Sequence, residues 1–415
     1  MSVTRRELLR ASIAAGLGLG AASLSSSALA GTLPPVRPLT SGPRFHWFSY
    51  YDKLQFDLTG RHVLGMEVSF EHRLPEAADP VRLGMVDTAD QDRWIDLGVS
   101  NAWCWQQGCM LQWLPGSDRE VAFNDRERDR FICRIQNTRT GESRSLPAPI
   151  YALSPDGRTG IGCNFSRLWD VRPGYGYPGL IDPDADKPAP TNSGVYSLDL
   201  HTGEQRLLIS VAQVLKLGTP FPDWGQAKHY FIHLLFSPDG KRLIVLHRWR
   251  TPQKHAGTRM FTTAADGSDI RLVDANGLTS HFIWRDERYI LAFSDQPSRG
   301  KRFYLFDDWG ERAPEPVGPD AMLADGHCTY LPGNKWILND TYPGRDRLQS
   351  PYLYEVTTGR RVALGHFHSP PEYTGEWRVD THPRVSPDGK KVVIDSPHGG
   401  NGRQMHLIDI AGIVG

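Results

Sequence analysis

Short apolar runs with a strand-like alternation recur along the chain, and a tight turn precedes most of them. Their alternating and β-branched residues predict half-buried β-strands. Three of the turns read SPDG, in which proline presets φ and glycine accepts a left-handed conformation. The pattern therefore indicates an all-β chain of many short strands. Four clear runs are KRLIVLH (241–247), RYILAFS (288–294), NKWILND (334–340) and KKVVIDS (390–396).

The turn belongs to a longer unit that occurs seven times. Third and fourth strands follow the first pair, as in GVYSLDLHTGEQRLLIS (194–210), where Thr-Gly makes a hairpin. A four-stranded unit of about 40–50 residues is typical of a propeller blade, so we predict one seven-bladed β-propeller over residues 31–415. Two stacked β-sandwiches are the alternative, although sandwiches rarely repeat at this period. The turns are FDLTG (56–60), WLPGS (113–117), LSPDG (153–157), FSPDG (236–240), WRDER (284–288), YLPGN (330–334) and VSPDG (385–389).

Aligning the units on their turns reveals a column of histidines four residues before the first turn position. The innermost strand of a blade leads into this turn from the opposite face, so the column is expected to line the central channel. Converging neutral imidazoles suit a divalent transition-metal ion, while hydrogen bonds to backbone carbonyls or an anion are the alternatives. The last four units carry His233, His281, His327 and His382 there, and the first three carry Lys53, Met110 and Ile150.

The loops between the second and third strands return to the face of the channel that carries the histidines. They are rich in arginine, whose guanidinium matches carboxylates bidentately, and in aromatic rings suited to stacking on sugars. The third unit adds an insert at 168–194, expected to be a long loop. This face suits an anionic carbohydrate, and a solvated charged rim is the simpler interpretation of any single residue. The residues concerned are Arg126, Arg167, His247, Arg248, Arg250 and Asp340, with Arg172, Tyr175 and Tyr177 from the insert and Gln107 before an inner strand.

The first 30 residues have the pattern of an export signal. An arginine pair, Arg5-Arg6, precedes a short apolar run and an Ala28-Leu29-Ala30 cleavage site, as in twin-arginine signals. We therefore predict a periplasmic or secreted protein that has no membrane anchor once the signal is removed. Lys and Arg total 47, equal to Asp and Glu, which argues against a nucleic-acid partner. Five cysteines leave room for one disulfide but do not indicate a disulfide framework.

The histidine column, with THPRVSPDG (381–389) as its clearest element, resembles the oligogalacturonate lyases. The resemblance is strongest over residues 228–411. It implies a propeller that uses a manganese-type ion, bound by histidines and a glutamine, to cleave short uronide oligomers by β-elimination. It also implies His233, His327 and His382 as ligands with His281 as a fourth, and manganese as the metal, with zinc or calcium as other possibilities.

The chain departs from the family pattern beside His382. Aspartate (Asp380) but no glutamine precedes this histidine, and Arg384 or Pro383 stands where the family has a second histidine.

The implied chemistry removes the proton at C5 of a uronate while negative charge spreads onto its carboxylate. The resemblance implies an arginine base, for which Arg248 and Arg167 are the candidates, Arg248 first because its blade also carries His233. Tyr177 or His247 would need less perturbation to act as a base. Two other functions stay open: a non-catalytic, TolB-like binding propeller and a metal-dependent glycan hydrolase. A propeller-capped serine peptidase is disfavoured because the sequence contains no Gly-x-Ser-x-Gly elbow.

Overall fold

The repeats form seven four-stranded antiparallel sheets, which are the blades of a β-propeller. The structure is a computed structural model that describes residues 33–222, 224–253 and 256–415. The prediction of an all-β, seven-bladed propeller is confirmed. The predicted export signal, residues 1–30, lies outside the described residues. Within the described part of the chain, none of the helices combines the length and apolar character needed to span a bilayer.

Blades 1 to 4 follow one another along the chain, and each begins with its innermost strand. In each of these four blades the strands pair in chain order from the channel outwards. The strands are Phe45–Trp47, His62–Val68, Val81–Asp87 and Arg93–Ser100 in blade 1; Gln112–Trp113, Glu120–Glu127, Arg130–Asn137 and Ser143–Leu146 in blade 2; Ala152–Leu153, Thr159–Gly162, Gly194–Asp199 and Gln205–Ser210 in blade 3; and Lys228–Phe236, Arg242–Arg250, Ala256–Ala264 and Arg271–Asp274 in blade 4.

Blades 5 and 6 repeat this order, and blade 7 takes its outermost strand from the N-terminal end of the described chain. A two-stranded ribbon, Leu348–Gln349 with Phe367–His368, accompanies blade 6. The strands are Thr279–Trp284, Tyr289–Gln296, Gly300–Asp307 and Glu315–Pro316 in blade 5; Thr329–Tyr330, Trp336–Asn339, Tyr352–Glu355 and Arg361–Ala363 in blade 6; and Arg384–Val385, Lys391–Ser396, Gln404–Asp409 and Val36–Pro38 in blade 7. The α-helices are Phe165–Val171, Val211–Val214 and Ala411–Val414, and the 3-10 helices are Trp224–Gln226 and Gly375–Trp377.

The Ser-Pro-Asp-Gly turns recur because their side chains close the turn internally. In blade 4, the Ser237 hydroxyl donates to the Asp239 carboxylate at 2.7 Å and accepts from the Arg242 backbone N–H at 2.9 Å. Gly240 has a φ of +73°, a conformation that costs glycine little. The Ser386 and Asp388 side chains make the equivalent bond in blade 7. These bonds fix where each innermost strand ends, and hence the height of the histidine column.

The insert of blade 3 is partly helical, which corrects the prediction of a long loop. Helix Phe165–Val171 leads into it, and the Asn164 side chain caps the helix by accepting from the Arg167 backbone N–H at 3.0 Å. An Asn N-cap stabilises a first turn that hydrophobic periodicity alone does not reveal. The remainder of the insert folds back over blades 2 and 3.

A buried ion pair between Arg384 and Asp395 lies within blade 7, and Arg384 also links this blade to blade 1. The guanidinium donates to both carboxylate oxygens, at 2.8 and 3.0 Å, and its Nε donates to Gln55 of blade 1 at 2.9 Å. Arg384 stands where the family resemblance places a second histidine. It is engaged in this ion pair instead and offers no ligand to the channel.

We expect Arg384→Ala to lower the free energy of unfolding by about 3–5 kcal/mol, because it leaves the Asp395 carboxylate buried without its counter-ion. Urea denaturation followed by tryptophan fluorescence measures the change. Arg312→Ala, which removes an exposed arginine, is the matched control and should change stability by no more than about 0.5 kcal/mol. Equal effects of the two substitutions would contradict a structural role for the ion pair.

Candidate metal centre and its arginine wall

The backbone of the innermost strands turns the column residues into the channel. His233 is the extra residue of a β-bulge between Ile232 and Leu234 and has a φ of +54°. His382 has a φ of +38°, and Met110, the column residue of blade 2, has a φ of +57°. Non-glycine residues adopt such angles at a cost, and bulges re-aim side chains near functional sites. The alignment of the units therefore identified a real structural position.

The four histidines surround a residue that the sequence analysis did not single out, Tyr50. Ring centroids of His233, His281, His327 and His382 lie 5.2, 6.5, 5.8 and 4.8 Å from that of Tyr50. The Tyr50 hydroxyl is buried and has no hydrogen-bond partner among the described residues. Burial raises the pKa of Tyr50 well above its ordinary value, so the phenol stays protonated.

Two of the histidines and one aspartate form a group that could share one metal ion. One ligand atom each from His327, Asp380 and His382 lies within 4.8 Å of the other two. The Nε2 atoms of both histidines are buried and have no hydrogen-bond partner in the described part of the chain. Burial, followed by the charges of His327 and Arg384, lowers the pKa of His382 well below its ordinary value, which keeps this imidazole neutral.

Asp340 orients His327 toward this group. Both of its carboxylate oxygens lie 3.0 Å from Nδ1 of His327, and one accepts from the His327 backbone N–H at 2.7 Å. The Thr381 hydroxyl donates to the other oxygen. Burial opposes a charge on His327, but Asp340 outweighs it and raises the pKa of this imidazole. A carboxylate on Nδ1 directs the Nε2 lone pair to the open side, as in many metal sites.

His233 and His281 lie outside this compact group, so their role as metal ligands stays a prediction. Nδ1 of His281 pairs with Asp325 at 2.9 Å, although its ring lies 4.2 Å from that of His327. His233 stacks on Tyr50 with ring centroids 5.2 Å apart, and its Nδ1 contacts Gln107 at 3.3 Å. The four histidine rings all lie within 6.5 Å of the Tyr50 ring, but among the described residues only His327 and His382 contribute histidine ligand atoms to this group.

The donor set of the group fits a divalent metal ion. Two imidazoles, which bind a metal in their neutral form, and one carboxylate suit manganese, iron or zinc and leave coordination positions open. Buried polar atoms without partners cost free energy, and a bound metal ion would offset part of that cost. Asp380 itself pairs with Arg378 at 2.8 Å, which holds the carboxylate in place. The buried Oε1 of Gln107 also has no hydrogen-bond partner among the described residues.

An arginine wall, formed by Arg172, Arg248 and Arg250, lines a cavity of about 510 Å³ that Asp325, the partner of His281, also lines. Burial, followed by the neighbouring Arg172, lowers the pKa of Arg248 below its ordinary value. Buried guanidinium nitrogens of Arg172 and Arg248 lack hydrogen-bond partners within the described ranges. The positive charges of these two arginines also help to lower the pKa of His233, after burial. The wall can therefore bind carboxylates next to the metal-ligand group.

Tyr175 and Gln107, which the sequence analysis predicted to bind substrate, lie at the site as well. The Tyr175 ring lies edge-on to His233 at 5.8 Å, and its hydroxyl accepts from Arg378 at 2.8 Å. The Arg172 guanidinium lies 3.7 Å over the Tyr175 ring. Gln107 donates to the Tyr151 hydroxyl beside His233. The insert and the segment before blade 2 thus bring Tyr175 and Gln107 to the channel.

Two of the predicted substrate-binding arginines are tied to backbone carbonyls. Arg250 donates to the carbonyl of Val171 at 2.5 Å, at the edge of the cavity. Arg126 donates to the carbonyl of Ala77 at 2.5 Å and packs against Gly179 of the insert. Arg126 therefore fastens the insert to blade 1 and lies outside the arginine wall.

Arg167 is a structural residue, which corrects its prediction as a catalytic base. Its side chain is buried and pairs with Asp182 at 2.9 Å. The same guanidinium donates to the carbonyls of His229, Asp184, Lys187 and Pro188. A guanidinium with all its donors engaged cannot approach a substrate proton.

Tyr177 and His247 are also removed from the candidate bases. Tyr177 is stacked on Phe165 with centroids 4.2 Å apart, and its hydroxyl accepts from Asn124. His247 lies between His229, at 3.0 Å between ring nitrogens, and Arg259. Both residues are fully buried in the core, away from the channel histidines. Of the four predicted bases, only Arg248 lies at the site.

Comparisons with known proteins support the fold. No protein-family model matches the sequence, and no curated protein matches it. An oligogalacturonate lyase in complex with manganese superposes with a TM-score of 0.67 at 15% identity, covering 92% of this chain and 94% of that one. The chain shares the oligogalacturonate lyase fold. An oligogalacturonate lyase from Vibrio parahaemolyticus gives a TM-score of 0.64 at 15% identity, with the same coverage.

A prolyl endopeptidase matches with a TM-score of 0.53 at 11% identity, over 90% of this chain and 49% of that one. This second class of protein shows that the propeller fold is shared by different activities. The resemblance stated from the sequence is confirmed at the level of the fold.

We expect Arg167→Ala to lower the free energy of unfolding by at least about 3 kcal/mol, since it leaves Asp182 and several carbonyls buried without partners. Arg248→Ala should change the free energy of unfolding by about 1 kcal/mol or less, because Nε of the Arg248 side chain has no hydrogen-bond partner within the described ranges. Urea denaturation of both variants measures the difference. Similar destabilisation by the two substitutions would contradict the division into a structural and a functional arginine.

Proposed function

We propose that this protein is a metal-dependent lyase that cleaves a uronic-acid-containing oligosaccharide by β-elimination. The observation that carries the proposal is the ligand group of His327, Asp380 and His382, with its unpartnered buried atoms, beside the arginine wall. The shared fold with an oligogalacturonate lyase in complex with manganese supports it. We also propose that the protein acts after export, as its N-terminal sequence predicts.

The proposed metal ligands are Nε2 of His327, Nε2 of His382 and the Asp380 carboxylate, and the proposed ion is manganese. Asp380 replaces the neutral glutamine of the family with an anionic ligand, which strengthens the attraction for a divalent cation. Bound there, the ion would act as a Lewis acid toward a uronate carboxylate.

The residues of the chain would supply the remaining parts of the elimination. Arg172 and Arg250 would bind carboxylates along the cavity, and Tyr175 offers a ring for a sugar face. Arg248 is the proposed base that takes the proton from C5. Its lowered pKa makes the neutral form more accessible than in an exposed arginine, which is almost always protonated. The electron pair released at C5 then forms the C4–C5 double bond as the C4–O bond breaks.

We expect the mature protein, purified without chelator, to contain about one equivalent of a divalent ion. The double substitution His327→Ala, His382→Ala removes two of three ligands, so bound metal should be lost. Inductively coupled plasma mass spectrometry measures the content after reconstitution with manganese. The control is His398→Ala, His406→Ala, which removes another pair of neighbouring histidines, with ring centroids 4.3 Å apart.

The control should retain the metal of the wild-type protein. Asp380→Asn keeps the shape of the side chain but removes its charge, and should weaken manganese binding in isothermal titration calorimetry. Absence of metal from the wild-type protein after reconstitution would contradict the ligand assignment.

We expect the manganese-loaded protein to release unsaturated products from oligogalacturonides, detected by their ultraviolet absorbance. Arg248→Ala should reduce kcat by about 10²- to 10⁴-fold, the usual contribution of a general base. Arg126→Ala is the control, because this arginine contacts the insert outside the arginine wall. Binding of oligogalacturonides without any cleavage would favour a binding propeller, and saturated products would favour a hydrolase.

A further inference from the structure

Tyr50 presents an unused hydroxyl at the centre of the candidate site. It lies in the segment between the first strand and the first turn of blade 1, and only 2% of the residue is exposed. Its hydroxyl has no hydrogen-bond partner among the described residues. The ring packs edge-on against His382 at 4.8 Å and His327 at 5.8 Å. Tyr50 also lies close enough to Arg172 and Arg248 to interact electrostatically with both.

Neighbouring hydroxyls are engaged in other contacts. The Tyr175 hydroxyl accepts from Arg378, and the Tyr342 hydroxyl lies 3.5 Å from Nε2 of His281. The Tyr151 hydroxyl contacts Gln107 and His233. Tyr50 thus differs from these three tyrosines in having a buried hydroxyl with no hydrogen-bond partner within the described ranges.

We propose that Tyr50 is the general acid that protonates the leaving oxygen when the C4–O bond breaks. The role rests on the proposed lyase function, in which no group has yet been assigned to donate a proton to the leaving oxygen. A sugar alkoxide is a poor leaving group, so its departure requires a proton in the transition state. The arginines of the wall are assigned to carboxylates, and His327 and His382 are assigned to the metal. The Tyr50 phenol, whose buried hydroxyl has no partner among the described residues, is the group that we assign to this proton.

The protons balance over the reaction. Arg248 takes one proton from C5, and the C5 electron pair forms the C4–C5 double bond. The bonding pair of C4–O passes to the leaving oxygen, which receives the Tyr50 proton and departs as a hydroxyl. The phenolate of Tyr50 then regains a proton, and Arg248 releases one to solvent. No water or redox reagent is consumed.

The test compares Tyr50→Phe with the wild-type protein on two uronides that differ only in the group at O4. One carries a galacturonate residue, and the other carries 4-nitrophenol, which leaves as its anion near neutral pH. We expect kcat of Tyr50→Phe to fall by about 10²- to 10⁴-fold on the sugar substrate and to remain close to the wild-type value on the nitrophenyl substrate. Tyr304→Phe, which removes a buried hydroxyl from blade 5, is the matched control.

Three results would overturn the acid role. Equal losses on both substrates would indicate that Tyr50 acts on packing or binding, and an unchanged kcat on the sugar substrate would show that its hydroxyl is dispensable. Loss of bound manganese from the Tyr50→Phe variant would indicate that the phenol is a metal ligand and not the acid. A wild-type protein that cleaves neither substrate while binding manganese would refute the lyase proposal itself, and the acid role with it, so the two failures are distinguishable.

Discussion

Pairing of the two ends of the described chain in one sheet is the interaction on which the site depends. Strand Val36–Pro38 pairs with Gln404–Asp409, and the Thr40 hydroxyl donates to Gln404 at 2.8 Å just beyond it. This closes the ring and places blade 1 beside blade 7. Tyr50, near the beginning of the chain, thereby meets His382, near its end. Without closure, the ligand group and the residue at its centre would lie on opposite edges of an open array.

Residues at the centre of the ring have strained backbone angles and unpartnered polar atoms, and the rest of the fold must offset their cost in folding free energy. His233 and His382 adopt left-handed backbone angles, and the buried atoms around them lack partners. Strain and unsatisfied polar groups of this kind concentrate at functional sites, where a ligand relieves part of the cost. The Arg384–Asp395 pair and the Arg167 cluster show the opposite arrangement, with each charge matched. The fold thus separates charges that stabilise it from charges left available to a ligand.

The sequence predicts the propeller and the histidine column because both depend on a repeated local unit. Each turn closes through its own side chains, so the height of the column follows from counting residues. The position of Tyr50 among the four histidines depends instead on contacts between residues far apart along the chain, which the repeat does not reveal. His247 and Arg248 show a second limit, since neighbouring residues of a strand point to opposite faces of its sheet. Arg248 faces the cavity, while His247 faces His229 and Trp224.

The departure of this site from the family pattern has a chemical consequence. The resemblance implies histidines and a neutral glutamine as ligands. In this chain a carboxylate, Asp380, stands beside two imidazoles. An anionic ligand lowers the net charge of a bound divalent ion and weakens its pull on a substrate carboxylate. Arg378 pairs with Asp380 at 2.8 Å and restores part of that positive charge. The arginine wall adds more, so in this chain stabilisation of the developing carboxylate charge would be shared between the ion and the guanidinium groups.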